Sequence, residues 1–142
     1  MKGNPRPIHV TERNERDALD MLRTRPKDKP FVLTLAFFAP HSWDGHVDQF
    51  LPQNKSMSLY ENMTLKAPVD MEASRNRLPK CITEKNEGRT RWRKRFDEPE
   101  KYDRMLKNYF RLISEVDGAC ESVWKELEAQ GILNETVSRS IF

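Results

Sequence analysis

The chain has 142 residues, about the length of one domain. Apolar residues make up 37% and charged residues 33%, and nine prolines outnumber five glycines. This composition is typical of a loop-rich globular chain and excludes the collagen-like and coiled-coil classes. The formal net charge of +3 is small, so it does not by itself indicate a nucleic-acid or membrane partner. The longest apolar run, over residues 31–40, falls far short of the ~18 residues that a membrane-spanning helix needs.

The pattern near the amino terminus predicts a helix over residues 11–25. Thr11 fits the N-cap position, and Pro26 forbids continuation because proline lacks the backbone N–H that the helix needs. Apolar residues recur at helical spacing within this segment: Val10, Ala18, Leu19 and Leu22.

Residues 31–38 read FVLTLAFF and are almost continuously apolar. Such a run is typical of a β-strand that is covered on both faces in a parallel sheet. A helix followed by a buried strand of this kind predicts an α/β fold. Residues 41–96 then form a long loop region, in which no helical or strand periodicity is sustained over residues 41–91. Loops of this length usually carry function or are disordered.

The clearest predicted element is a long helix over residues 98–130. Asp97 and Glu100 fit a capping box, and Gly131 fits the position just past the end. A helix of about thirty residues rises ~45 Å, which is longer than a small core requires and indicates a larger neighbour. Apolar residues recur along it at steps of three and four: Tyr102, Met105, Leu106, Tyr109, Ile113, Val116, Cys120, Val123, Trp124 and Leu127.

His41 is the first candidate functional residue, because it directly follows the predicted strand. In open α/β sheets, ligands bind outside the carboxyl ends of the strands. An imidazole there can donate or accept a proton near neutral pH. The competing interpretation is a histidine that makes only hydrogen bonds in a surface loop.

A metal site and a polyanion site are the other candidates. The imidazoles and carboxylates of His41, Asp44, His46 and Asp48 could bind a metal ion, but their spacing matches no strong metal signature, so a solvated polar loop is favoured. Residues 89–95, RTRWRKR, place five basic residues around one aromatic and could follow a polyanion such as RNA or a sulfated polysaccharide. A solvated basic turn before the helix is the competing interpretation.

The two cysteines, Cys81 and Cys120, are too few for a disulfide scaffold or a four-cysteine zinc site, and the sequence leaves open whether they pair. The first seven residues contain no apolar segment of the kind found in secretory signals, so no signal peptide is expected. The compartment is not determined by the sequence.

Taken in order, the segments of the chain from about residue 11 to residue 137 resemble the sulfatase family. The resemblance rests on residues 29–41 (KPFVLTLAFFAPH), 59–68 (LYENMTLKAP), 109–117 (YFRLISEVD) and 127–137 (LEAQGILNETV). It implies the middle of an alkaline-phosphatase-like catalytic domain, with a buried strand that ends in a Pro–His pair, a substrate-side loop region and a long helix.

Sulfatases hydrolyse sulfate esters or sulfamates with a formylglycine nucleophile and a bound calcium ion. The resemblance implies that His41 lies beside the sulfate and its leaving oxygen, and that Arg89, Arg91 and Arg93 in the substrate-side loop attract a sulfated small molecule or saccharide. The family's nucleophile signature, C/S-x-P/A-x-R, does not occur in this sequence. Neither formylglycine nor calcium is therefore supported by residues of this chain, and the 142 residues alone are expected to be inactive.

Three functions remain open at this point. The leading one is a sulfatase fragment, a sulfuric ester hydrolase by family. The second is a non-catalytic module that binds a polyanion through residues 89–95, although nucleic acid is not the expected partner. The third is a protein that only associates with another chain through the long helix.

Overall fold

The computed structural model describes residues 8–82 and 84–140, except the side chain of Glu72. The chain divides into two compact units. Among the described residues, unit 1 comprises residues 8–39 and 114–140, and unit 2 comprises residues 40–82 and 84–113. Four α-helices are present in the described ranges: α1 over Val10–Thr24, α2 over Met71–Asn76, α3 over Glu87–Phe96 and α4 over Pro99–Ala129.

Helix α1 in unit 1 lies within one residue of its predicted bounds. The prediction of Thr11 as its N-cap is wrong, because the Nδ1 atom of His9 accepts the hydrogen bond from the Thr11 N–H at 3.3 Å. Thr11 lies inside the first turn and is buried. Ala18 and Leu22 form the buried face of α1, and Pro26 follows the C-cap residue Arg25, as a helix stop requires.

The predicted α/β fold with a buried parallel strand at residues 31–38 is wrong. Residues 30–38 form no regular element, and no β-strand occurs within residues 8–82 and 84–140. A strand needs a neighbouring strand to satisfy its backbone groups, but here the Ala36 carbonyl accepts a hydrogen bond from the Asn14 side chain at 3.0 Å. Exposed and half-buried side chains alternate along the segment, and Val32 is 90% exposed.

The carboxyl-terminal part of α4 packs within unit 1. Ala119 and Leu127 are buried there, and Glu126 accepts a hydrogen bond from Arg23 at 2.9 Å. Beyond the end of α4, Gly131 has a φ of 71°, a left-handed conformation that glycine adopts without a Cβ penalty. Within the described ranges, no helix combines the length and the apolar character needed to cross a membrane.

Unit 2 contains helices where the sequence predicted an uninterrupted loop. The prediction missed α3 because its ten residues contain no buried side chain and hence no apolar stripe. Local capping explains why it forms. The side chain of Asn86 accepts a hydrogen bond from the Gly88 N–H at 2.9 Å. Basic residues in the last turn also stabilise the helix, because their positive charge interacts favourably with the negative end of the helix dipole.

The core of unit 2 forms where residues 99–113 of α4 meet the segment around Phe50. Met105, Leu112 and Phe50 are buried, and the rings of Phe50 and Tyr109 meet edge to face with centroids 5.5 Å apart. The side chain of Asn108 donates a hydrogen bond to the Phe50 carbonyl at 3.2 Å. This contact fixes the loop to the helix with one buried polar pair.

Arg111 holds a second stretch of that loop. Its buried guanidinium donates to the carbonyls of Met57 at 2.6 Å and Leu59 at 3.0 Å, and to Asn108 Oδ1 at 2.8 Å. The next residue, Tyr60, has a φ of 62°, a conformation that costs a non-glycine residue about 1–2 kcal/mol. The bonds from Arg111 help to hold this turn in place.

Candidate functional site

His41 lies at the start of unit 2 with an exposed side chain. Its Nδ1 atom is 2.7 Å from the carbonyl oxygen of Ser42. Because a carbonyl can only accept, Nδ1 must carry the hydrogen in this contact. The nitrogen that can gain or lose a proton is therefore Nε2.

Arg95 connects helix α3 to the residues that follow His41. Its Nη2 atom donates to Ser42 Oγ at 2.8 Å and to Asp44 Oδ1 at 2.7 Å, and its Nε atom donates to Gln49 Oε1. The guanidinium carbon also lies 5.9 Å from the ring centroid of Phe50, within the range of a cation–π contact. These contacts hold the residues next to His41 against α3.

Arg91 is the second arginine that forms an ion pair with Asp44. Its Nη2 atom lies 3.0 Å from Asp44 Oδ2, and its Nε atom donates to Glu87 Oε1 at 2.8 Å. The hydrogen bond to Glu87, together with the negative charge of Asp44, raises the pKa of Arg91 above its usual value. The sequence predicted that Arg91 binds substrate, but in the structure its guanidinium is paired with two carboxylates.

Arg89 and Arg93 instead share Glu84. Arg89 donates to one carboxylate oxygen of Glu84, and Arg93 donates to the other and to the Glu84 carbonyl. A third guanidinium, that of Arg75 in α2, lies 3.8 Å from Glu84 Oε1. Its position is supported by Trp92, whose ring centroid is 5.0 Å from the guanidinium carbon.

Helical geometry explains why the four arginines form two groups. Residues two apart on an α-helix are separated by about 200° around the axis, whereas residues four apart share a face. Arg89 and Arg93 therefore share one face of α3, and Arg91 and Arg95 share the opposite one. The two arginines of each pair share one carboxylate, so the basic run is not one continuous cationic surface. The alternating arginines at positions 89, 91, 93 and 95 are the sequence signal for this division into two groups. The signal can be interpreted only when the segment is known to be helical.

The residues described here do not fit the calcium ion that the resemblance implies. No three histidine, cysteine, aspartate or glutamate side chains converge anywhere in the described part of the chain. Of the metal candidates weighed from the sequence, Asp44 pairs with two arginines, and His46 Nδ1 accepts a hydrogen bond from the Asp48 N–H at 3.0 Å.

A protein-family model described as Sulfatase matches residues 9–137, which is most of the chain. No curated protein and no solved structure matches it.

Proposed function

This protein belongs to the sulfatase family, and we propose that it supplies the leaving-group side of a sulfuric ester hydrolase, with His41 as the general acid. The family match over residues 9–137 carries this proposal. The position of His41 in a Pro–His pair after an apolar segment is the sequence feature that identifies the residue.

The hydrogen bonding of His41 suits that role. With Nδ1–H directed to the Ser42 carbonyl at 2.7 Å, the ring has a fixed tautomer, and Nε2 carries the exchangeable proton. Cleavage of a sulfate ester leaves an alkoxide, which is a poor leaving group unless it is protonated as the bond breaks. A positioned imidazolium that donates this proton accelerates such a step by roughly 10² to 10⁴-fold.

Two further parts of the proposal follow from the sequence. Because these 142 residues contain no C/S-x-P/A-x-R signature, the formylglycine nucleophile of the family would come from outside them, and alone they hydrolyse no sulfate ester. The substrate is a sulfated small molecule or saccharide, attracted by the cationic side chains of α3.

The decisive experiment is His41→Ala in a complete sulfatase that contains this region and a working nucleophile. Loss of the general acid should lower kcat for an alkyl sulfate by roughly 10² to 10⁴-fold. An aryl sulfate with a good leaving group should lose much less, since its phenoxide needs little protonation. That difference separates an acid from a group that only supports the loop.

His46→Ala is the matched control, because it removes a second imidazole from the same loop. Its turnover should stay within a few-fold of the parent enzyme. Near-normal hydrolysis of the alkyl sulfate by the His41→Ala enzyme would refute the assignment.

A further inference from the structure

We propose that Arg75, Arg89 and Arg93 form a binding cradle for a sulfate group, and that the carboxylate of Glu84 occupies this cradle until a ligand displaces it. The choice of sulfate as the ligand rests on the proposed function. The cradle itself rests on the geometry of unit 2 and involves neither His41 nor the nucleophile.

The charges around Glu84 are unbalanced. Three guanidinium groups, those of Arg75, Arg89 and Arg93, face one carboxylate, so the cluster retains an excess of positive charge. A carboxylate has two oxygens, whereas the sulfate of a monoester has three terminal oxygens. A sulfate group can therefore accept hydrogen bonds from all three arginines at once.

Arg89 and Arg75 are held by features other than Glu84. The Arg89 side chain is only 18% exposed, and Arg75 stacks on Trp92. The Nε atom of Arg89 is buried and makes no hydrogen bond to any described residue. A cradle that is ordered before binding loses less conformational entropy when the ligand arrives.

Glu84 is the exchangeable part. Its side chain is 59% exposed, and an ion pair with an exposed carboxylate is weakened because water competes for that carboxylate. The other shared carboxylate, Asp44, differs because its arginine Arg95 is also bonded to Ser42 and Gln49. We therefore assign the exchange to Glu84 and a structural role to Asp44.

The test is isothermal titration of the full 142-residue chain with a monosulfated hexose. Glu84→Gln removes the competing carboxylate and keeps the side chain, so it should lower the Kd at least about five-fold. Glu87→Gln is the matched control, because it makes the same change of charge on the partner of Arg91. It should change the Kd by less than two-fold.

Two further variants keep the proposal testable if Glu84→Gln does not fold. Glu84→Asp retains the charge but is one methylene shorter, so it should also bind the sulfated hexose more tightly than the parent. Arg89→Gln with Arg93→Gln should abolish binding. Circular dichroism of each variant establishes that the helices are retained.

If Glu84→Gln and Glu87→Gln lowered the Kd for the sulfated hexose equally, the cradle would be refuted, because the change in net charge alone would explain the tighter binding. Tighter binding of a single-stranded RNA than of the sulfated sugar, lost in the same arginine variants, would overturn the choice of sulfate and favour a polyanion-binding module. These titrations require no turnover. If His41→Ala left turnover unchanged, the proposed cradle would therefore not be refuted. If the titrations refuted the cradle, the proposed role of His41 would not be affected.

Discussion

Arg95 and Asp44 form an ion pair that joins residues 51 positions apart in the sequence, with Nη2 and Oδ1 at 2.7 Å. The Arg95 side chain is 16% exposed and that of Asp44 is 41% exposed. The same guanidinium also bonds Ser42 and Gln49. Arg95 therefore helps to hold the residues that follow His41.

Asp44→Asn should loosen this segment. The variant removes the negative charge that Arg91 and Arg95 share, so hydrogen exchange of amides 42–49 should speed up several-fold, while amides of α1 stay protected as before. Asp48→Asn is the control, because the ion pair of Asp48 with the exposed Arg104 is longer, at 3.6 Å. If both variants exchange alike, Asp44 has no special role in the loop.

Arg111→Met should destabilise unit 2 strongly. The variant leaves the Met57 and Leu59 carbonyls without their donor, which should lower the free energy of unfolding by about 2–3 kcal/mol. Urea denaturation followed by circular dichroism measures the change. Arg104→Met on the same helix should cost less than about 0.5 kcal/mol, because that side chain is 53% exposed.

Asp103 should make stability depend on pH on the acid side. A hydrogen bond from the Leu65 N–H at 2.7 Å lowers the pKa of Asp103 below its usual value. A hydrogen bond from the Lys107 side chain lowers this pKa further. The contribution of Asp103 is therefore present above the unfolded-state pKa of about 3.9 and is lost as pH falls through the lower folded-state pKa.

Asp103→Asn tests this sign. At pH 7 the variant should be less stable than the parent by about 1–2 kcal/mol, and the difference should narrow as urea denaturation is repeated between about pH 5 and pH 2. A constant difference across the series would contradict the ionic origin of the effect.

The two cysteines should react at different rates. Both are free thiols, with Cys81 exposed and Cys120 half-buried. Burial, together with the nearby charge of Asp117, raises the pKa of Cys120 and so reduces its reactive thiolate near neutral pH. A thiol reagent at pH 7.5 should therefore label one cysteine at least about ten times faster, and Cys81→Ser should remove that fast phase.

The two longest helices could be predicted from sequence because their signals are local. Pro26 ends the first and Gly131 follows the second, and α4 forms over Pro99–Ala129 against a predicted 98–130. Ile113 and Trp124, assigned to its apolar stripe, are nevertheless 40% and 47% exposed. Periodicity predicts which residues share a face, but it does not determine how much of that face is covered.

The strand and the arginine contacts depended on information that the sequence does not carry locally. An apolar run such as residues 31–38 becomes a strand only if another strand pairs with it, and its own composition cannot reveal that partner. Likewise, nothing near residues 89–95 indicates that Asp44, from a distant loop, and Glu84 would divide the arginines between them. His41 was identified from its position after the apolar run, and its catalytic role stays a prediction.

Residues 31–38 also have a practical consequence for handling the purified protein. The segment contains no charged side chain, and Val32 and Phe38 are 90% and 51% exposed. Charged residues precede the segment at Lys27, Asp28 and Lys29, but no Asp, Glu, Lys or Arg follows it until Asp44. Concentrated samples should therefore self-associate through this segment, since exposed, uncharged apolar side chains pack against one another between molecules.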